Sequence, residues 1–427
     1  MPEKLKGSRE QCFTIECDSK FGDSPLKTPG GTPKTCYDGN IFIKSTLVQG
    51  FSRVLCPKAK NIVLSDCFIS ESSEIAIESV NPQNIIIKNV KFRQNYGTCL
   101  QITLSPSSRP FSEKDSPQLG GSKIDTKPFI YLHNLEFLNS VGKCIEFRGE
   151  EDLSSLPMAK SQVRANFFVK NCNFGLNQDI CVHLTNIYCS NLFMENCVFL
   201  KNRLACIYCE FVNKLTIMNT EIGNNHGPGV VSKNSVLNIN NSSIYRNTTG
   251  LLIQNRHTPA AANLSSVILD FTKFCDNSKS GIDYQGFTCQ SINITNVKMS
   301  GNNAGLSICE TGDLGGSAQR KLSADSKNSP RDAPIKMHRF KVKDCQISEN
   351  KTDGVRIMNL TSELSILKSA IKDNEQFAIY VENPNQNRNV IWESNPDQGS
   401  DIVGKFGNNK NQENIGSLGD PSSCQIF

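Results

Sequence analysis

Residues 192–210, LFMENCVFLKNRLACIYCE, contain the unit that organises this chain. The same arrangement returns in LTIMNTEIGNNHGPGVVS from Leu215, in INITNVKMSGNNAGLSICE from Ile292 and in FKVKDCQISENKTDGVRIMN from Phe340. Each unit has a short apolar run, a polar residue, another apolar residue, two spacers and an asparagine, followed by a second alternating run. A repeat of about 22 to 25 residues is typical of solenoid proteins.

The asparagine of the unit recurs throughout the chain in an apolar-x-x-Asn signature. Asparagine tolerates left-handed dihedrals in a tight turn, and its amide can hydrogen-bond to an asparagine above and below it. We therefore predict a structural column of stacked side chains made of Asn177, Asn202, Asn225, Asn247, Asn277, Asn302, Asn350 and Asn374. Cysteines also recur at fixed repeat positions, as Cys67, Cys172, Cys197 and Cys345 and as Cys99, Cys144, Cys181 and Cys206. We interpret them as small buried residues and predict neither a metal site nor a cofactor.

The strands of each unit are too short for stable hairpins and too alternating for helices, so all-β structure follows. The prediction is a right-handed, single-stranded parallel β-helix solenoid of about eleven coils, from near Asn61 to near Trp392. Residues 1–40 form an N-terminal cap or extension, 41–395 the β-helix, and 396–427 a C-terminal tail. Insertions rich in Ser, Gly, Pro, Asp and Lys interrupt the repeat near residues 105–127, 148–165 and 311–336.

Charge and composition limit the function classes. The 427 residues include 46 Lys and Arg against 41 Asp and Glu, and a net charge of +5 without a basic block disfavours nucleic-acid binding. No apolar stretch approaches the roughly 18 residues of a membrane helix. The charged start MPEKLKGSREQCF lacks the apolar core of a signal peptide, so we expect a cytoplasmic protein with reduced thiols.

The repeat resembles the parallel β-helix, pectin-lyase-like family. That family includes pectate lyases, polygalacturonases, phage tailspikes and the intracellular, non-enzymatic β-helix modules of some F-box and SHC-binding proteins. The resemblance covers about three quarters of the chain and implies the fold without an activity. Asn177-Gln178-Asp179 is similar to a polygalacturonase motif, but Ile180 replaces the next carboxylate and the expected Gly-His-Gly is Arg203-Leu204-Ala205. Glycoside hydrolysis needs two carboxylates about 5 to 10 Å apart, which this region does not offer.

Alternation places one outward position per coil on the strand after the asparagine turn. Glu146, His183 and Tyr208 would be neighbours there, with Glu210 two residues beyond Tyr208, and they are weak catalytic candidates because a carboxylate could orient an imidazole beside a phenol. The outward positions of the same strands predict a binding surface made of Tyr208, Val231, Leu252, Asp283, Arg356 and Tyr380. Val231 and Leu252 are expected to be exposed apolar contacts on this surface.

The last four residues, Cys424-Gln425-Ile426-Phe427, fit a prenylation signal at Cys424, but the segment before them has few basic residues, which disfavours prenylation.

From the repeat and the outward residues we expect a non-enzymatic scaffold or protein-binding platform, a rigid rod within a cytoskeletal or membrane-associated assembly. Its partners are other proteins, with membrane contact only through a prenyl group. The alternative is a divergent carbohydrate-active enzyme, of the polysaccharide lyase or glycoside hydrolase type, that uses an outward strand face.

Overall fold

The computed structural model describes residues 3–6, 12–14, 40–50, 53–55, 61–104, 128–149, 165–187, 191–255, 266–286, 291–309, 339–360, 363–382, 390–393, 401–402 and 406–408. The predicted insertions at 105–127 and 311–336 and most of 148–165 lie outside these residues. The chain divides into two compact units, unit 1 (Met1–Glu221) and unit 2 (Ile222–Phe427).

The strands of unit 1 are short, and most have three to five residues. They are β1 (Glu3–Lys6), β2 (Cys12–Thr14), β3 (Asn40–Lys44), β4 (Thr46–Gln49), β5 (Arg53–Leu55), β6 (Asn61–Ser65), β7 (Phe68–Ser70), β8 (Ile77–Val80), β9 (Asn84–Lys88), β10 (Lys91–Arg93), β11 (Leu100–Leu104), β12 (Phe129–His133), β13 (Glu136–Leu138), β14 (Ile145–Gly149), β15 (Asn166–Lys170), β16 (Asn173–Gly175), β17 (Val182–Ile187), β18 (Asn191–Glu195), β19 (Val198–Leu200), β20 (Ile207–Val212) and β21 (Leu215–Met218).

The division between the units falls within the next strand, and the strands of unit 2 have two to seven residues. They are β22 (Glu221–Gly223), β23 (Val230–Lys233), β24 (Val236–Asn240), β25 (Ser243–Tyr245), β26 (Leu251–Asn255), β27 (Ser266–Asp270), β28 (Lys273–Cys275), β29 (Ser280–Gly286), β30 (Ser291–Thr295), β31 (Lys298–Ser300), β32 (Ala304–Cys309), β33 (Arg339–Lys343), β34 (Gln346–Ser348), β35 (Asp353–Asn359), β36 (Glu363–Leu367), β37 (Ala370–Lys372), β38 (Phe377–Val381), β39 (Val390–Glu393), β40 (Asp401–Ile402) and β41 (Phe406–Asn408).

Every third strand pairs with the next of its kind, so that each unit has three parallel sheets. In unit 1, sheet A1 is β1-β4-β7-β10-β13-β16-β19, sheet B1 is β2-β5-β8-β11-β14-β17-β20, and sheet C1 is β3-β6-β9-β12-β15-β18-β21. In unit 2, sheet A2 is β22-β25-β28-β31-β34-β37-β40, sheet B2 is β23-β26-β29-β32-β35-β38-β41, and sheet C2 is β24-β27-β30-β33-β36-β39. Parallel sheets wound in triplets define a parallel β-helix, and this confirms the predicted fold class.

Alternation decides which side chains enter the core. In β15, Phe167 and Val169 are fully buried, whereas Phe168 between them is partly exposed. Identical positions of successive coils then stack: the ring centroids of Phe92 and Phe137 lie 4.8 Å apart and those of Phe174 and Phe199 lie 4.4 Å apart. From β6 to β38 the strands form eleven successive triplets, as the repeat predicts.

Candidate functional site

The predicted asparagine column of unit 2 is buried except at Asn374, which is partly buried, and its side chains bond from coil to coil. The Asn277 Nδ2 donates to Asn302 Oδ1 at 2.9 Å, and the Asn302 Nδ2 donates to Asn350 Oδ1 at 3.2 Å. Each Oδ1 also accepts a hydrogen bond from the backbone N–H of the column asparagine one coil earlier. For example, the backbone N of Asn277 donates to Asn302 Oδ1 at 3.0 Å. Asn225, Asn247 and Asn374 continue the same pattern.

Unit 1 contains the same column with two substitutions among its described residues, Ser72 and Ser140, and the Ser72 N–H donates to Asn95 Oδ1 at 3.0 Å. The Asn177 Nδ2 donates to Asn202 Oδ1 at 3.0 Å, and the Ser140 N–H donates to Asn177 Oδ1 at 3.0 Å. Ser140 takes the place of an asparagine, and its hydroxyl lies 3.3 Å from Cys99 Sγ. The serine is the reason that the apolar-x-x-Asn signature misses this coil.

The left-handed dihedral that we assigned to the column asparagine belongs to the residue before it. Leu176, Lys201 and Asp276 have φ values of 59°, 58° and 56°, whereas the asparagines that follow them are absent from the positive-φ residues. The column asparagine is selected by its hydrogen bonds, and the preceding residue makes the turn. The assignment of the left-handed conformation to the column itself was therefore wrong.

The catalytic candidates of unit 1 do meet on the outward face of sheet B1. Strand register pairs Glu146 with His183 and His183 with Tyr208. The Glu146 Oε1 lies 3.2 Å from His183 Nδ1 and 2.6 Å from Lys143 Nζ. Hydrogen bonding to His183, supported by Lys143 and opposed by burial, lowers the pKa of Glu146 to about 2. Glu146 is therefore a fixed negative charge near neutral pH.

The rest of the cluster is also internally paired. The Tyr208 hydroxyl donates to Glu210 Oε2 at 2.7 Å. With its amide oriented to satisfy both groups, Gln101 donates to Glu146 Oε2 at 3.2 Å and accepts from Arg148 at 3.1 Å. Within the described part of the chain, no group of three or more His, Cys, Asp and Glu side chains could hold a metal ion.

The remaining predicted contact residues lie on sheet B2. Leu252 pairs in register with Asp283, and Arg356 pairs with Tyr380, whose ring centroid lies 5.5 Å from the guanidinium carbon of Arg356. Burial raises the pKa of Asp283. The prediction that Val231 is an exposed apolar contact is wrong, because its side chain is only 5% exposed. Val231 lies in register with Leu252 on the next strand.

Sequence reasoning missed a surface on sheet C1, which we name the aromatic stripe. It is one outward side chain from each of five successive strands, all partly exposed and paired in register: Val63, Ile86, Tyr131, Phe168 and Phe193. The signal was present, because each of these residues interrupts the alternation: the runs are IVL, III, IYL, FFV and LFM. In unit 2 the same position holds Asn238, Asn293, Lys341 and Ser365, and the exposed Ile268 lies between Asn238 and Asn293, so an unbroken apolar run of this length is a feature of unit 1.

Polar residues flank the stripe on both sides. Two residues further along the strands lie Ser65, Lys88, His133, Lys170 and Glu195, of which Lys170 and Glu195 form an ion pair of 2.7 Å. On the other flank, Asn61, Asn84 and Asn166 occupy the strand starts, together with Phe129, which packs on Phe168 at 5.7 Å between ring centroids.

Further apolar side chains are exposed at the turns between sheets A1 and B1. Tyr96, Val141, Leu176 and Leu204 are 49%, 40%, 52% and 46% exposed, and each lies beside the asparagine column of its own coil. Tyr96 and Val141 occupy the same turn position on neighbouring coils, whereas Leu176 and Leu204 occupy different ones, so the four do not form one column. Cys424 lies outside the described residues. No helix in the described ranges is long and apolar enough to cross a bilayer.

No protein-family model and no curated protein sequence matches the chain. Among solved structures, it is similar to the A-module of the Azotobacter vinelandii mannuronan C-5 epimerase AlgE4, with a TM-score of 0.46 and 12% identity over 86% of this chain and 87% of that one. It is also similar to the A-module of the epimerase AlgE6 from the same organism, with a TM-score of 0.40 and 12% identity over 86% of this chain and 84% of that one. The function therefore has to be inferred from the residues.

Proposed function

We propose that the chain is a non-enzymatic binding protein, a platform for other proteins in a larger assembly, and that the aromatic stripe is its main contact surface. The observation that carries the proposal is the stripe itself: five apolar side chains, in register and partly exposed, on an outward face. Contiguous apolar surface on a folded protein marks interaction sites. The exposed turn residues Tyr96, Val141, Leu176 and Leu204 support the same role.

The state of the sheet B1 cluster also favours binding over catalysis. Glu146 carries its charge near neutral pH and is held by Lys143 and His183. A glycosidase acid must keep its proton near neutral pH, which requires a raised carboxyl pKa. Glu146 has the opposite shift, so it cannot serve as that acid.

The test is site-specific photocrosslinking in the cells that produce the protein. A photoreactive amino acid at Phe193 should give discrete crosslinks to other proteins, and the same residue at Asn293, the corresponding outward position in unit 2, should not. Adding Phe168→Glu should remove the Phe193 crosslinks. Equal crosslinking from both positions, or crosslinks that persist with Phe168→Glu, would contradict the proposal.

A second candidate function is acid–base chemistry on a polysaccharide. It is favoured by one observation: His183 Nδ1 is fixed against an ionised carboxylate, while Nε2 has no hydrogen bond to any described residue. An imidazole positioned in this way can take up a proton at Nε2. Turnover of acidic or neutral polysaccharides that disappears with both His183→Ala and Glu146→Gln would establish this function and refute the platform.

A further inference from the structure

We infer that the partner of the aromatic stripe is an acidic amphipathic α-helix that lies along the stripe, across the strands of sheet C1. This inference rests on the proposed function and adds the shape and charge of the partner. Three features of the surface carry it: the spacing of the stripe, its width and the charge of its flank.

The spacing matches a helix better than a strand. Five side chains on adjacent strands, about 4.8 Å apart, span about 19 Å, which is the length of about 13 helical residues. A helix brings a side chain to the same face once per turn, about every 5.4 Å. Over the four steps of the stripe, the positions of the helix side chains and of the stripe side chains therefore diverge by about 2.4 Å. A strand brings a side chain to the same face about every 6.8 Å, so over the same four steps its side chains and those of the stripe diverge by about 8 Å.

The width of the stripe suits a single element. Apart from Phe129 on one side, it is one residue wide between polar columns, whereas a standard protein–protein interface takes about 20 to 30 residues from each partner. Some of its ring faces contact neighbouring groups. Phe168 and Phe193 are offset-stacked at 5.9 Å between centroids, and Tyr131 lies parallel to His133 at 5.7 Å with Lys88 Nζ 5.5 Å from its centroid.

The flank of the stripe favours carboxylates on the partner. Lys44 and Lys88 are exposed, and neither forms an ion pair with a described residue. Of the nearby carboxylates, Glu195 pairs with Lys170, whereas Asp66 keeps its charge while it accepts a hydrogen bond from Asn89, so the two lysines outweigh this one carboxylate. A helix with an apolar face and an acidic side therefore complements this surface.

The experiment is selection of a random library of helical peptides on the full chain, with counter-selection on Phe193→Glu. The enriched peptides should carry apolar residues at i, i+3 or i+4 and i+7 with an excess of Asp and Glu beside them. Binding of an enriched, fluorescein-labelled peptide should weaken at least tenfold with Phe193→Glu, and also with Ile86→Lys, which serves if Phe193→Glu does not fold. Lys88→Glu should weaken it about two- to tenfold, and the matched Asn293→Glu should leave it unchanged.

Other outcomes separate the two proposals. Enriched peptides without a helical period or an acidic excess would overturn the helix and leave the contact surface. If the chain dimerises, or binds an immobilised glycan panel, and this binding is lost with Phe193→Glu, the helix is likewise overturned. The occupant of the stripe is then a second copy of the chain or a carbohydrate. If peptide binding, dimerisation and glycan binding are all indifferent to Phe193→Glu and Ile86→Lys, the inference and the proposed function both fail.

Discussion

Replacing Asn277 by leucine tests the physical basis of the fold. The side chain lies fully buried in the column. Its Oδ1 accepts from the N–H and the Nδ2 of Asn247 at 3.0 and 3.3 Å, and its Nδ2 donates to Asn302 Oδ1 at 2.9 Å and to the Ile244 carbonyl at 3.3 Å. Leucine has a similar size and shape but can form none of these four bonds.

The loss of stability follows from the groups that lose their hydrogen-bond partners. The N–H of Asn247 loses its only side-chain acceptor in a buried turn, and a buried unsatisfied group costs about 1 to 3 kcal/mol. The remaining bonds contribute about 1 kcal/mol net each at most, because Asn302 Oδ1 keeps its bond from the backbone N–H of residue 277. We expect Asn277→Leu to lower the free energy of unfolding by about 2 to 4 kcal/mol.

Urea unfolding followed by far-ultraviolet circular dichroism measures this loss. Asn293→Leu is the control, because Asn293 is partly exposed on sheet C2 and makes no hydrogen bond through its side chain to a described residue. Asn374→Leu should cost less than Asn277→Leu, since Asn374 is only partly buried. A loss below about 0.5 kcal/mol for Asn277→Leu, equal to that of the control, would refute the role of the column.

Three further predictions concern single positions. The pKa of Glu146, measured by nuclear magnetic resonance, should be about 2 and should rise towards 4.5 in His183→Ala. The contribution of Glu146 to stability should be present above pH 4.5 and lost as the pH falls through about 2. An unchanged pKa in His183→Ala would contradict this prediction. Gly250→Ala should destabilise by at least about 2 kcal/mol, because its Cβ would meet the Gly281 carbonyl and the ring of Phe274; wild-type stability would be the contrary result. Phe137→Ala should cost about 3 to 5 kcal/mol in thermal unfolding, since its buried ring stacks on both neighbours, and a cost near 1 kcal/mol would show that the stack contributes little.

The sequence by itself determined the fold and its column of asparagines. Short alternating runs have a period of two, so they assign side chains to the core or to the outside without knowledge of the neighbours. The apolar-x-x-Asn signature of Asn247 and Asn277 is local in the same way. Strand register then stacks equal positions, because each backbone must bond to the coils above and below it. These features need only short-range information, and the structure therefore reproduces them.

Only the tertiary structure decided which outward residues form a surface. The members of the aromatic stripe come together through register, although insertions of unequal length separate them in the chain. Exposure of Val231 depends on the neighbour that lies beside it, and the charge of Glu146 depends on Lys143 and His183. Burial, contact and ionisation are set by groups on other strands at distances of a few ångströms. The order of residues along one strand does not contain them.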